Sequence, residues 1–192
     1  SDLCDSSSFR LTVPAEPDAF LDDAAVLEAN RRDDYMPYWG YLWQASHPMA
    51  AAVLRSPWVP GDEALELGCG IGLVGIAAAA RGLRVTFSDY DADSVALAVH
   101  NARQNGFHDV EGLVLDWRSP LARRFPVILG SDITYERRNH APILDLLDSM
   151  LTDDGVCWIG DAGRQATHDF VPLARKRGYL VEMIGQRFLP PE

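Results

Sequence analysis

Apolar residues follow two rhythms along this chain, and the way the rhythms alternate predicts the fold. Short apolar runs at 64–67, 84–88, 110–115, 126–131 and 156–160 read as buried strands. Between them, apolar positions repeat at helical spacing over 72–81, 92–105, 139–151 and 166–177. Gly82, Gly106 and Gly178 follow three of these stretches, where helices commonly stop. Asp153-Asp154-Gly155 reads as the turn into the fifth strand, and a sixth strand is expected over Tyr179 to Phe188. Strands alternating with helices predict an α/β chain: a doubly wound, mostly parallel sheet in three α/β/α layers.

The first part of the chain is less regular. Ser6-Ser7-Ser8 reads as disordered, and Phe9-Arg10-Leu11-Thr12-Val13 alternates like a short strand ended by Pro14. Asp18 to Arg31 has apolar residues at helical spacing, and His47 to Arg55 reads as a helix stopped near Pro57. Between these helices, Tyr35, Tyr38, Trp39, Tyr41 and Trp43 form an aromatic segment that either packs on the core or covers a pocket. No repeat or linker divides the chain. A single domain is expected, with a lead-in over 1–58 and a core over 59–192.

The chemistry concentrates at Glu66-Leu67-Gly68-Cys69-Gly70-Ile71-Gly72, where the first strand turns into a helix. Glycines there let the backbone approach a ligand, and a helix start offers free N–H groups. This points to a nucleotide-like cofactor at the carboxyl edge of a Rossmann-like sheet. Gly70-x-Gly72-x-x-Gly75 also fits a dinucleotide site. The acid Glu66 argues for a cationic ligand rather than a pyrophosphate. Asp89, at the end of the second strand, suits the two hydroxyls of a ribose. Asp116-Trp117, after the third strand, suits an adenine amino group and ring face.

These motifs, in this order over residues 64–161, resemble the class I S-adenosylmethionine (SAM) dependent methyltransferases. Ser131-Asp132-Ile133-Thr134-Tyr135-Glu136 narrows the resemblance. Its Asp-x-x-Tyr is similar to the seven-β-strand protein lysine methyltransferases of the methyltransferase 16 group, as are Pro37-Tyr38-Trp39 and Trp43. Gly160-Asp161-Ala162-Gly163-Arg164 resembles a Gly-Asp-Pro-Gly-Arg stretch in relatives that modify the electron-transfer flavoprotein β subunit, with Ala162 in place of proline. The family fold carries a seventh, antiparallel strand, for which the residues after 188 leave no room. Either the sheet ends early, or the chain is truncated, or an N-terminal strand compensates.

The resemblance implies SAM as methyl donor, S-adenosylhomocysteine as product and no metal. It implies that Gly68, Gly70 and Gly72 approach the methionine portion and that Glu66 lies near its ammonium. Asp89 would hold the ribose and Tyr90 would lie along the adenine. Asp116 and Trp117 would hold and shield the adenine, and Trp43 would close the other side. Asp132 and Tyr135 are expected to face the acceptor nitrogen. Asp161 and Arg164 read as a surface ion pair.

Composition adds limits. Apolar residues make up 47% and charged residues 23% of the 192, as in a soluble globular domain. A net charge of −11 disfavours nucleic acid and suits a basic, lysine-bearing protein surface. No apolar run reaches membrane-span length, and no signal peptide is visible, so a cytoplasmic location is expected. The chain starts at Ser1, which reads as a processed or cut N-terminus. Cys4, Cys69 and Cys157 read as free thiols, and the scattered histidines form no metal pattern. At this stage other readings stay open: a small-molecule (nicotinamide-type) N-methyltransferase, a non-catalytic SAM-fold module and, disfavoured by Glu66, a nicotinamide-dependent oxidoreductase. Oligomeric state is not legible.

Overall fold

The computed structural model describes residues 8–16, 18, 24–33 and 36–185. The expected disorder at Ser6-Ser7, most of the first half of the Asp18–Arg31 stretch, Cys4, Tyr35 and residues 186–192 lie outside them. Among the described residues five strands form the sheet: β1 (Glu63–Leu67), β2 (Arg84–Asp89), β3 (Val110–Val114), β4 (Phe125–Ser131) and β5 (Leu151–Gly160). Their order is β3-β2-β1-β4-β5, and every pairing is parallel. The helices are α1 (Ala24–Asp33), α2 (Ser46–Arg55), α3 (Leu73–Ala80), α4 (Ala92–Gln104), α5 (His140–Met150) and α6 (Gln165–Lys176).

Alternation along the strands divides the core between the two faces of the sheet. Ala64, Val85, Phe87 and Leu129 join α2, α3 and α4 on one face. Leu65, Leu67, Phe125 and Ile128 join α5 and α6 on the other. Helix α3 is apolar nearly all round, and six of its residues are buried, because sheet, α2 and α4 enclose it. From β1 the chain steps outward to β2 and β3, then crosses back to β4 on the opposite side of β1. This reversal opens a crevice above the carboxyl ends of β1 and β4.

Three expectations change. The strand expected over 179–188 is not formed by its described part, 179–185. Instead Tyr179 Oη donates to Asp148 Oδ1 at 2.7 Å and Arg175 Nη2 donates to the Val181 carbonyl at 3.1 Å, which ties the segment to α5 and α6. β5 begins at Leu151, and the Asp153-Asp154-Gly155 turn becomes an irregularity in its register against β4: Phe125 faces Leu151, but Val127 already faces Val156. The third change is at Phe9–Val13, which is no strand. Arg10 N–H donates to Asn105 Oδ1 (2.9 Å), and Asn105 Nδ2 donates to the Arg10 carbonyl (2.7 Å). Thr12 and Asn101 repeat the exchange at 2.8 and 3.0 Å. Alternate residues of an extended chain are about 6.6 Å apart. Residues i and i+4 of a helix stand about 6 Å apart. Asn101 of α4 and its C-cap residue Asn105 therefore take the place of a neighbouring strand.

No helix among the described residues is long and apolar enough to cross a membrane.

Candidate active site

The crevice is a cleft of about 400 Å³, in the range of small-molecule and cofactor sites. Its floor is the turn after β1. Gly68 has φ +60°, and a Cβ there would stand 2.9 Å from Ile133 Cγ2, so only glycine fits without displacing the β4 loop. Asp89, at the end of β2, clamps this turn: Oδ2 accepts from Gly70 N–H at 3.1 Å and Oδ1 from Asp91 N–H at 3.2 Å. Burial raises the Asp89 pKa, and the two N–H donors oppose the rise.

One rim carries Tyr90, Asp116 and Trp117. Asp116 accepts from Arg118 Nε and backbone N–H at 2.9 Å and from Nη2 at 2.8 Å. Burial pushes the Asp116 pKa up, but the arginine outweighs it and holds the carboxyl low. The same guanidinium lies 5.7 Å from the Tyr90 ring centre, closing a clasp across the rim.

The opposite wall is aromatic. The Tyr38 ring meets Trp43 edge-on at 5.7 Å and Tyr135 at 6.1 Å. Trp43 Nε1 donates to the Tyr38 carbonyl at 2.9 Å, which fixes the indole. Burial, then the Glu136 charge, pushes the Tyr135 phenol up to about 12, so it stays neutral at physiological pH. Asp132 is buried and has φ +56°, a left-handed position that aspartate tolerates better than most residues. Its N–H donates to the Gly160 carbonyl at 2.8 Å. Its Oδ2 accepts from Ala45 N–H at 2.9 Å, and its Oδ1 accepts from the Arg164 guanidinium.

Trp43, Gly68, Gly70, Asp89, Tyr90, Asp116, Trp117, Asp132 and Tyr135 thus line one cleft. Glu66 and Gly72 do not. Alternation turns Glu66 to the same side as Ala64, beneath α3, where Oε2 accepts from Gly75 N–H at 2.9 Å. Burial pushes its pKa up to about 8. Gly72 faces α4, where a Cβ would stand 2.9 Å from that of Ala98. Arg118 went unread in the sequence, and Arg164 was read only as the surface partner of Asp161, whose side chain is in fact 6% exposed, and not as the partner of Asp132. Arg118 could be found from its spacing to Asp116, whereas Arg164 is far along the chain from the Asp132 it binds. Among the described residues no cluster of three or more His, Cys, Asp or Glu is arranged for a metal ion.

The family model described as lysine methyltransferase matches residues 41–176. The chain belongs to this family. A zebrafish (Danio rerio) protein N-lysine methyltransferase METTL21A is 33% identical over 158 residues, 75% of this chain and 72% of that protein. Its Xenopus tropicalis counterpart of the same name is 31% identical over 120 residues, 59% of this chain. The match spans 56% of the frog protein's length. A rat (Rattus norvegicus) histone-arginine methyltransferase, METTL23, is 30% identical over 122 residues, 57% of this chain and 52% of that protein. In fold, the family member is similar to a ribosomal protein L11 methylase from Lactobacillus delbrueckii. That likeness has a TM-score of 0.64 at 19% identity, over 82% of this chain and 86% of that one.

Proposed function

We propose that the cleft binds SAM and serves transfer of its methyl group to a protein lysine nitrogen. One observation carries the reading: the glycine turn, Asp89 and the Asp116-Trp117 pair converge on one cleft whose facing wall is Tyr38, Trp43 and Tyr135. The residues fit such a group, because Asp89 ends β2, Asp116 follows the end of β3, and both line the cleft together with the backbone at Gly68 and Gly70. When bound, SAM supplies a sulfonium-activated methyl for in-line displacement. Gly68 and Gly70 would admit its methionine portion, Asp89 would accept the ribose hydroxyls, and Asp116 the adenine amino group. Tyr90, Trp117 and Trp43 would cover its faces and exclude water. Glu66 and Gly72 support the turn from behind.

Asp132 and Tyr135 stand on the acceptor side. A lysine ammonium has no lone pair and a reference pKa of about 10.4. Desolvation among Tyr38, Trp43 and Tyr135 lowers that value. Tyr135, a neutral phenol, would orient the nitrogen by hydrogen bonding and by its ring face. The acidic chain suits a basic protein surface rather than nucleic acid. A cytoplasmic setting belongs to the same reading, supported by free Cys69 and Cys157, the first of them buried.

The test is incubation with methyl-labelled SAM and cell extract, followed by separation of acid-precipitable protein from small solutes. Label recovered as methyl-lysine from a discrete protein is expected. Methyl-arginine or methyl-histidine would change the acceptor, and label only in small solutes would make this a small-molecule enzyme. SAM binding without transfer would mark a non-catalytic module. Asp89→Ala is expected to abolish SAM binding, and Asp132→Ala to keep it while losing turnover, both read by calorimetry alongside the label assay.

A further inference from the structure

The stretch Gly160-Asp161-Ala162-Gly163-Arg164 has no role in the reaction as described so far. It leaves β5 and enters α6, with Arg164 at the helix N-cap position. Asp161 Oδ1 accepts from the N–H groups of Gly163 and Arg164, both at 2.7 Å. Gly163, at φ +89°, turns the chain back over Asp161. The Arg164 side chain is thereby aimed inward rather than to the surface. Its guanidinium reaches Asp161 Oδ2 at 3.2 Å and Asp132 Oδ1, and its Cζ lies 5.7 Å from the Trp43 ring centre.

The Asp132 and Asp161 side chains are only 2% and 6% exposed, against 31% for Arg164. Carboxylates so covered need a partner, and removing it leaves a buried charge uncompensated. A guanidinium suits the place because one planar fork can serve two acids and still stack on an indole, which an ammonium cannot. Three segments meet at this group: the β4 loop through Asp132, the β5–α6 turn through Asp161, and the aromatic segment through Trp43. Asp132 closes the circuit by accepting from Ala45 N–H, two residues beyond Trp43. Both of its oxygens are thus engaged.

We propose that Arg164 is a positioning residue that holds Asp132 and Trp43 in one arrangement and so fixes the acceptor wall of the cleft. The proposal rests on reading the cleft as a methyl-transfer site. Arg164 lies behind the wall rather than in its lining, so it acts through Asp132 and Trp43 and touches no reacting atom. Asp132, with both oxygens held, joins the wall to its supports.

The test uses Arg164→Ala and Arg164→Lys in the full chain. Amide exchange at Ala45, read by NMR, reports the Asp132 link without any acceptor. SAM affinity by calorimetry and kcat on the acceptor protein found by the label assay report function. In Arg164→Ala, exchange at Ala45 is expected to quicken about tenfold, as for loss of a charged hydrogen-bond partner. Protection elsewhere in the sheet and the affinity for SAM should hold, while kcat falls about tenfold or more. Arg164→Lys, which keeps the charge but not the fork, is expected to fall between. Ala45 protection equal to wild type in both variants would overturn the proposal, as would lost protection with kcat unchanged. Protection lost evenly over the whole chain in both variants would assign Arg164 to folding and overturn it too. If the wild-type chain methylates no protein, the proposed function fails, while exchange at Ala45 still decides whether Arg164 holds this wall.

Discussion

Glu66 is an acid with its water removed. The N–H groups of Gly75 and Val74 compensate only in part, so its pKa rises to about 8. In the unfolded chain the same carboxyl titrates near 4.3. Between these values the folded state binds a proton that the unfolded state does not. The sign follows: stability falls as pH rises from about 5 to about 8, by up to about 1.4 kcal/mol per pH unit from this group. Glu66→Gln should remove that slope, and urea unfolding of both proteins across the window checks it. A slope identical in the two would show that Glu66 does not carry it. The strand rhythm already contained the orientation: residues 64 and 66 share one face, 65 and 67 the other. Reading Glu66 by charge alone put it beside a cationic ligand, whereas its parity puts it under α3. Arg164 was less legible, because its contact with Asp132 spans 32 positions and depends on two loops meeting.

Between elements, the tightest fit is α3 on the sheet at Gly75. A Cβ there would stand 2.4 Å from Phe87 Cε1 and 2.5 Å from Glu66 Oε2, both in buried side chains with little room to yield. Gly75→Ala should therefore cost about 1–3 kcal/mol through overpacking. Helix propensity would work the other way by less than about 1 kcal/mol. A fall in thermal midpoint of several degrees is expected, and an unchanged or raised midpoint would mean that α3 shifts freely. The glycine's place in Gly70-x-Gly72-x-x-Gly75 made close helix–strand packing readable beforehand. The segment after α6 shows the limit of such reading. Its pattern from Tyr179 suits a strand, but strands exist through neighbours, and this segment is held instead by Arg175 at the Val181 carbonyl and by Asp148 at the Tyr179 hydroxyl. The same holds for Phe9–Val13, whose partners are Asn101 of α4 and its C-cap Asn105.

At the scale of the whole molecule, the alternation of strands and helices carried the doubly wound sheet, and with it the switch point where the cleft opens. Charge acts at this scale as well. With 28 acids against 17 lysines and arginines, the chain carries a net −11. Under the proposed function such a field should favour the approach of a basic protein over an acidic one, and salt weakens it, since the screening length falls from about 14 Å at 0.05 M to about 4 Å at 0.5 M. The contacts proposed for the cofactor are short-ranged and partly covered, so they are screened far less. The kcat/KM for a basic lysine-bearing acceptor should therefore drop several-fold over that salt range, mainly through KM. Affinity for S-adenosylhomocysteine, which has no net charge, should change little. A neutral peptide carrying the same lysine provides the contrast: it should start with poorer kcat/KM at low salt and converge on the basic acceptor as salt rises. If both peptides lose activity in parallel, the salt is acting on the enzyme's fold or on transfer itself, and the acidic surface has no part in choosing the acceptor.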